Sequence, residues 1–259
     1  MTGIYGICEG GMNEKLLEID FLTELLVEHT MRNISDVERF CPCCGTHFER
    51  PFVKFGGRED SSCPVCHSKE RHRALCVLLP QLLIQRAKAL MFAAYKTKDA
   101  IANYAGRHVH LTTTDLYEEG ADVRADIQSL PFANNSFDLI LNSHVMEHVT
   151  DDIRAFREQY RVLKGRGSLA VFQAPINFNR ERTFERNEVS PAEAAKWQVD
   201  HVRDYGADFL DRAQSVGFDC TVITLRDALA HLPEPAFQRF THFISSKAEH
   251  IVFCRKCKQ

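Results

Sequence analysis

The sequence predicts an α/β chain, a mostly parallel sheet covered by helices on both faces, with a small cysteine-rich unit mounted in front of it. Two observations carry this. From residue 89 onward, short apolar runs alternate with helical stretches, the order that builds a parallel sheet. Before them, four cysteines recur as two CxxC pairs in a stretch with no apolar periodicity of its own. With 259 residues and 44% hydrophobic content, the chain can bury one moderate domain and one small unit. The expected division is an amphipathic helix over 1–40, a ribbon over 41–70 and the α/β domain over 71–259.

The elements follow in order. From Asn13 to Arg32, Leu16, Leu17, Phe21, Leu25 and Leu26 recur at helical spacing among glutamates, so this segment predicts one amphipathic helix, packed on the main domain or on a dimer partner. Residues 41–70 pair cysteine with proline and glycine and cannot form a core. The run Arg71–Lys88 resumes helical periodicity, with a kink or break expected at Pro80. Strands are expected at Ala89–Ala93, Val109–Thr113, Phe137–Leu141, Leu169–Phe172, Thr221–Leu225 and Ile251–Cys254, and helices at Asp151–Leu163 and Ala207–Val216.

Charge and cysteine usage narrow the classes. The net charge is −3, too small to make nucleic acid or an acidic membrane the default partner, although residues 41–90 carry 8 Lys/Arg against 4 Asp/Glu. The chain opens MTGIYGICEGG, without a basic segment leading into an apolar one, so its ten cysteines predict a cytoplasmic protein rather than a disulfide scaffold. No uncharged apolar run approaches the roughly 20 residues of a membrane-spanning helix.

The cysteine pattern is Cys41-Pro-Cys-Cys44-Gly45, 17 residues, then Cys63-Pro-Val-Cys66. A CxxC knuckle lets two thiolates converge on one ion, and two knuckles complete a tetrahedron. Cys41, Cys44, Cys63 and Cys66 therefore predict a zinc site, with iron as the second metal this set accepts. Four protein ligands leave no open position, so the site is expected to organise folding rather than to catalyse. Cys43 and His67 stand next to ligands as substitutes, and the terminal Cys254/Cys257 pair reads as incidental. Arg50, Lys54, Arg58, Lys69, Arg71 and Arg73, with Phe48, Phe52 and Phe55 among them, are the residues an RNA contact would use; a solvated basic surface is the plainer expectation.

In an open parallel sheet, ligands bind at the carboxyl ends of the strands near the reversal of strand order. Asp115 ends the strand HVHLTTTD, where a carboxylate can accept both hydroxyls of a ribose. Asp126 in ADVRADIQSLPF suits an adenine amino group. FDLILNSH ends with Asn142, Ser143 and His144, and Gly165 and Gly167 form the turn into the following strand. Together these residues resemble the class I S-adenosylmethionine-dependent methyltransferases, in particular the type 11-like subgroup with LPF, FDLI and an SHVLEHV-like segment, here Ser143-His-Val-Met-Glu-His-Val149. The resemblance extends over about 87–254 and includes Asp200-His-Val-Arg-Asp-Tyr-Gly206. It implies a doubly wound, seven-stranded Rossmann-like sheet, S-adenosylmethionine as cofactor and a small-molecule methyl acceptor, such as a saccharide or a natural-product intermediate. Relatives also carry an attached four-cysteine ribbon. Cofactor contacts are then expected from Phe92, Ala93, Ala94, Asp115, Leu116, Asp126, Ile127, Asn142 and Ser143. One departure stands out: the family's Glu/Asp-x-Gly-x-Gly loop is replaced by LMFAAYKTK. Ala93 and Ala94 are small enough for a modified backbone approach, whereas Tyr95 or Lys96 would fill the pocket.

For an acceptor whose proton must leave, His201 is the first expected base, followed by His144 and His148. His144, Glu147 and His148 also spell H-x-x-E-H, an inverted zinc-protease pattern. Here it follows a strand in a nucleotide-binding context, so that reading is set aside, and His148 packing with Glu147 pairing locally is weighed equally with catalysis. The charged stretch Asn177–Ser190 is expected as an acceptor lid or a solvated loop. The Asn/Asp-Pro-Pro-aromatic signature of amino-base methylation is absent, as is G-x-G-x-x-G. Two other classes remain open: a non-catalytic interaction protein on a degenerate cofactor domain, and an RNA methyltransferase that reads with its ribbon.

Overall fold

A computed structural model describes residues 39–55, 58–69, 71–73, 75–76, 87–93, 109–117, 119–165, 167–197, 199–224 and 250–256. The helix expected at Asn13–Arg32, with its dimer contact, and residues Ala94–Lys98 lie outside the described residues.

The ribbon consists of two hairpins. β1 (Arg39–Cys41) pairs antiparallel with β2 (Thr46–Phe48), and β3 (Val53–Phe55) with β4 (Arg58–Ser62). Each CxxC knuckle closes by the same device. Gly45 N–H donates to Cys41 O at 2.8 Å, and His67 N–H donates to Cys63 O at 3.0 Å. Both residues sit at positive φ, Gly45 at 68° and His67 at 56°, so His67 fills a turn position that glycine fills in the first knuckle.

A seven-stranded sheet follows. Its strands are β5 (Ala87–Phe92), β6 (Val109–Asp115), β7 (Val123–Arg124), β8 (Leu139–Ser143), β9 (Leu169–Gln173), β13 (Phe218–Thr224) and β14 (His250–Lys256), in the order β13-β14-β9-β8-β5-β6-β7. β5 pairs parallel with both β6 and β8, while β14 runs antiparallel between β9 and β13. Strand order therefore reverses at the β5/β8 junction. All five residues of β8 are buried, so both faces of the sheet centre are covered. β5 begins at Ala87, two residues before the expected strand, which shortens the helical linker; residues 71–73 and 75–76 are helical as expected.

On one face, α1 (Asp152–Val162) presents Ala155, Phe156, Gln159 and Val162 to the core, with the Asp151 carboxylate accepting from Arg154 N as its N-cap. Phe156 meets Phe172 of β9 and Phe209 of α3 (Phe209–Gln214) in edge-on contacts. The charged stretch after β9 is not a plain solvated loop. It contributes β10 (Ile176–Asn177) and β11 (Phe184–Glu185), which flank β12 (Arg203–Gly206) in a second sheet; α2 (Pro191–Ala194) lies between β11 and β12.

Two further expectations change, and one terminal cysteine gains a partner. Arg73, expected as a surface cation suited to RNA, is 1% exposed: its Nη1 donates to Ser61 O and Ser68 O, and its guanidinium lies over the buried Phe52 ring. Arg73 and Phe52 build the ribbon and are not an RNA surface. Cys43 is turned to the buried Cys76, with their sulfurs 3.0 Å apart, rather than substituting for Cys41. Cys254 lies inside β14, bonded to Cys220 across the β13/β14 ladder, so its pairing is not with Cys257. No helix among the described residues is long and apolar enough to cross a membrane.

Candidate functional site

The four expected metal ligands come together. Cys41 Sγ lies 3.6 Å from Cys66 Sγ, and Cys44 Sγ lies 3.8 Å from Cys63 Sγ. A tetrahedron with metal–sulfur bonds near 2.3 Å has edges of about 3.8 Å. Sequence reasoning missed the surrounding hydroxyls: Ser68 Oγ stands 3.3 Å from Cys41 Sγ and 3.2 Å from Cys66 Sγ, and Thr46 Oγ1 3.3 Å from Cys44 Sγ. Contacts from Cys41 and Cys63 pull Cys66 well below the ordinary thiol range, while Cys41 and Cys63 are pushed up.

The second site lies at the reversal of strand order. The strands that flank it both end in a left-handed, non-glycine residue: Ala93 after β5, φ 52°, and His144 after β8, φ 55°. Ala93 N–H donates to Thr114 O of β6, and His144 N–H to Gln173 O of β9, so neighbouring strands hold both turns. Strain of this kind collects where a backbone must be aimed. Beside them, Thr114 Oγ1, Asn142 Oδ1, Ser143 Oγ and Gln173 Oε1 are buried without hydrogen-bond partners among the described residues. These orphaned groups line the carboxyl ends of β6, β8 and β9, where burial without a partner costs about 1–3 kcal/mol each.

The expected carboxylates stand at the same edge. Asp115 closes β6 and its Oδ1 accepts from Tyr117 N at 2.8 Å; Leu116 and Tyr117 next to it are 39% and 79% exposed, an apolar and an aromatic surface open to a ligand. Asp126 Oδ1 accepts from Gln128 N at 2.8 Å, with the buried Ile127 between them. The loop from Asp126 is fixed from α1: Leu130 N donates to Glu158 Oε2, and Arg161 donates to the carbonyls of Leu130 and Phe132. Asn142 faces inward, its Nδ2 donating to Gln159 Oε1 of α1 at 3.0 Å.

The three expected bases gather around one carboxylate. Glu147, in the short turn Met146–His148, is fully buried; His144 Nδ1 lies 3.2 Å and His148 Nε2 4.0 Å from its Oε1. His201 packs edge-on to His148, ring centres 4.8 Å apart. Burial pushes the Glu147 carboxyl upward, but His144 and His148 outweigh it and hold it below the usual range. Burial lowers His201, against the opposing pull of Glu147, and so favours its neutral ring. Arg203, 3% exposed, donates to the carbonyls of Met146, Val149 and Thr150 and so fixes the turn that carries Glu147 and His148. Neither the central burial of Glu147 nor the work of Arg203 is visible in a periodicity.

The helical segment that follows the ribbon reaches this edge. Gln173 Nε2, at the end of β9, donates to Arg71 O at 3.2 Å, and His72 feels the charge of His144.

Comparison with known proteins bears on the fold. The solved structure of 1,6-didemethyltoxoflavin-N1-methyltransferase from Burkholderia thailandensis, with bound 1,6-didemethyltoxoflavin and S-adenosylhomocysteine, superposes with a TM-score of 0.50 at 14% identity, covering 72% of this chain and 78% of that one. The sheet has the Rossmann-like methyltransferase fold. A chain of the Haloferax volcanii complex between the Trm112 methyltransferase activator and a methyltransferase superposes equally, TM-score 0.50 at 12% identity over 73% of this chain and 92% of that one. Residues 89–171 match the family described as methyltransferase domain. Among curated proteins, the ubiquinone/menaquinone biosynthesis C-methyltransferase UbiE of Klebsiella pneumoniae is 48% identical over 56 residues. That match takes in 21% of this chain and 22% of the curated protein, so the chain spans about a fifth of its relatives' length.

Proposed function

We propose that the chain is an S-adenosylmethionine-dependent methyltransferase acting on a small molecule, with a structural zinc ion in its ribbon. The observation that carries this reading is the row of orphaned buried polar atoms at the carboxyl ends of β6, β8 and β9, set beside the two left-handed strand ends. A ligand satisfies such groups, and the position is the one where this fold takes its cofactor. Asp115 holds the ribose hydroxyls, Asp126 and Ile127 the adenine, with Leu116 against its face. Phe92, Ala93 and Ala94 follow the methionine part, and Asn142 and Ser143 close the crevice from β8. Bound there, S-adenosylmethionine supplies a methyl group already activated by its sulfonium.

The residues of the chain therefore serve mainly to align an acceptor and exclude water. On the acceptor side stand His144, His148 and His201. A neutral imidazole there can take the proton that an acceptor hydroxyl or ammonium must lose. The acceptor is of saccharide or natural-product type; Arg180 and Arg182, from the stretch between β10 and β11, would suit an anionic group on it, although Arg180 already engages Asp204.

Zinc in the ribbon is supported by four sulfurs within 4.8 Å of one another, two pairs of them 3.6 and 3.8 Å apart, and by the hydroxyls of Ser68 and Thr46 facing them. These thiols, kept unoxidised for a metal, favour the cytoplasm, where the Cys220–Cys254 bond would be the exception.

The test is isothermal titration of the zinc-loaded chain with S-adenosylhomocysteine. The expected result is one site per chain, weakened about 10–100-fold in Asp115→Ala, the loss of charge-assisted hydrogen bonds worth about 1.5–3 kcal/mol. Absence of binding at millimolar ligand would favour the non-catalytic interaction protein instead.

A further inference from the structure

Glu147 is the least explained group in the molecule. It is completely buried, and among the described residues neither carboxylate oxygen has a well-aligned hydrogen-bond partner, the nearest donor being His144 Nδ1. Among the described residues its ion-pair contacts are imidazoles, His144 at 3.2 Å and His148 at 4.0 Å. A carboxylate removed from water without a full counter-charge costs several kcal/mol, and a cation is what would supply that charge.

We propose that Glu147, His148 and His201 bind a divalent metal ion, at a second site distinct from the four-cysteine cluster. One carboxylate oxygen and one ring nitrogen from each histidine lie within 4.8 Å of one another. Bonds of 2.0–2.2 Å in a tetrahedral arrangement require donors about 3.4 Å apart, so modest rotations of the two rings close the set.

The surroundings are arranged for ligation. His148 Nδ1 is 3.1 Å from Asp200 O and 3.4 Å from Asp200 Oδ2, which leaves Nε2 on the side of Glu147. A ring nitrogen anchored to a carbonyl and a carboxylate is the usual support of a metal-bound histidine. Val202 N–H donates to Glu147 O at 2.9 Å, tying the loop that carries His201 to the turn that carries the other two ligands.

This differs from the H-x-x-E-H protease arrangement set aside above. There both histidines of the pattern ligate from a helix and the glutamate acts on water; here the glutamate ligates, His201 comes from a separate loop, and His144 is outside the set. Two imidazoles and a carboxylate suit zinc, iron, manganese or cobalt, and three protein ligands leave positions open. Resting on the methyltransferase reading, the open positions select acceptors that coordinate through oxygen. The ion lowers the pKa of a bound hydroxyl, and His144 remains beside it to receive the proton.

Cobalt(II) is the probe. The full chain, its ribbon loaded with zinc, is titrated with cobalt(II) and followed by visible absorption and calorimetry. The expected result is one cobalt per chain with d–d bands and no sulfur-to-cobalt charge-transfer band. Affinity falls at least tenfold in both Glu147→Gln and His201→Asn; the second variant lies at a half-buried loop position and leaves the buried carboxylate in place. No second site at millimolar cobalt, cobalt entering only the thiolate site, or wild-type affinity in folded His201→Asn would each overturn the proposal. Binding of S-adenosylhomocysteine, measured on the same samples, separates failure of the metal site from failure of the methyltransferase reading.

Discussion

Ala93 holds a backbone conformation that glycine holds more cheaply. Its φ of 52° follows β5 where relatives of the resembled family place glycine, so the glycine-free loop keeps the turn while changing the residue. A left-handed L-residue costs about 1–2 kcal/mol, and glycine's extra unfolded-state freedom offsets about 0.4–1 kcal/mol of the gain from relief. Ala93→Gly should therefore raise stability by about 0.5–1 kcal/mol in urea unfolding; a loss of stability would show that the Ala93 methyl packs productively. Residue types were legible here, whereas backbone strain was not. The same holds at Glu147: H-x-x-E-H was plain in the sequence, but that its glutamate is buried at the centre of three histidines depends on a loop more than fifty residues away.

At the scale of elements, strands and helices of the main sheet were readable because buried apolar runs and a capped amphipathic helix each have a period. The insertion after β9 was not. β10, β11 and β12 are two to four residues long, too short for any period, and polar contacts hold them together. Gly206, in β12, explains one sequence feature. A Cβ there would stand 2.5 Å from Arg182 C and 2.8 Å from Arg180 O, backbone atoms that cannot swing aside. Gly206→Ala should cost about 1–3 kcal/mol, read as a lower midpoint in urea. An unchanged midpoint would mean that the insertion is not packed against β12.

The helical segment after the ribbon carries a pH-sensitive group. Burial, with the neighbouring charges of Arg71 and His144, pushes His72 down to about 3 from 6.5, while the unfolded chain protonates it at the ordinary value. Between these values the unfolded state binds the extra proton, so this contribution to stability is whole above pH 6.5 and lost as pH falls toward 3. His72→Asn retains an acceptor for Lys69 N–H and removes the titration. Wild type should lose stability relative to that variant as pH falls from 6.5 toward 4; parallel curves would contradict the assignment.

For the whole molecule, the cysteine spacing announced the ribbon and the order of motifs announced the sheet. Neither announced that the two meet. Arg73 reaches back into the ribbon, while Arg71 O receives Gln173 from the edge of the sheet, so one short segment couples the four-cysteine unit to the crevice. Such contacts are set by tertiary packing and leave no local pattern, which is why Arg73 reads as a surface cation in the sequence and is buried in the fold. The central claim is that the crevice at the β5/β8 reversal binds the cofactor, bounded by the ends of β5, β6 and β8.

Hydrogen exchange of the zinc-loaded chain with and without S-adenosylhomocysteine tests this most directly. The account predicts added protection at Phe92–Ala93, Asp115–Leu116 and Asn142–His144, with amides of β1 to β4 unchanged; unchanged exchange at all three strand ends under millimolar ligand would contradict it.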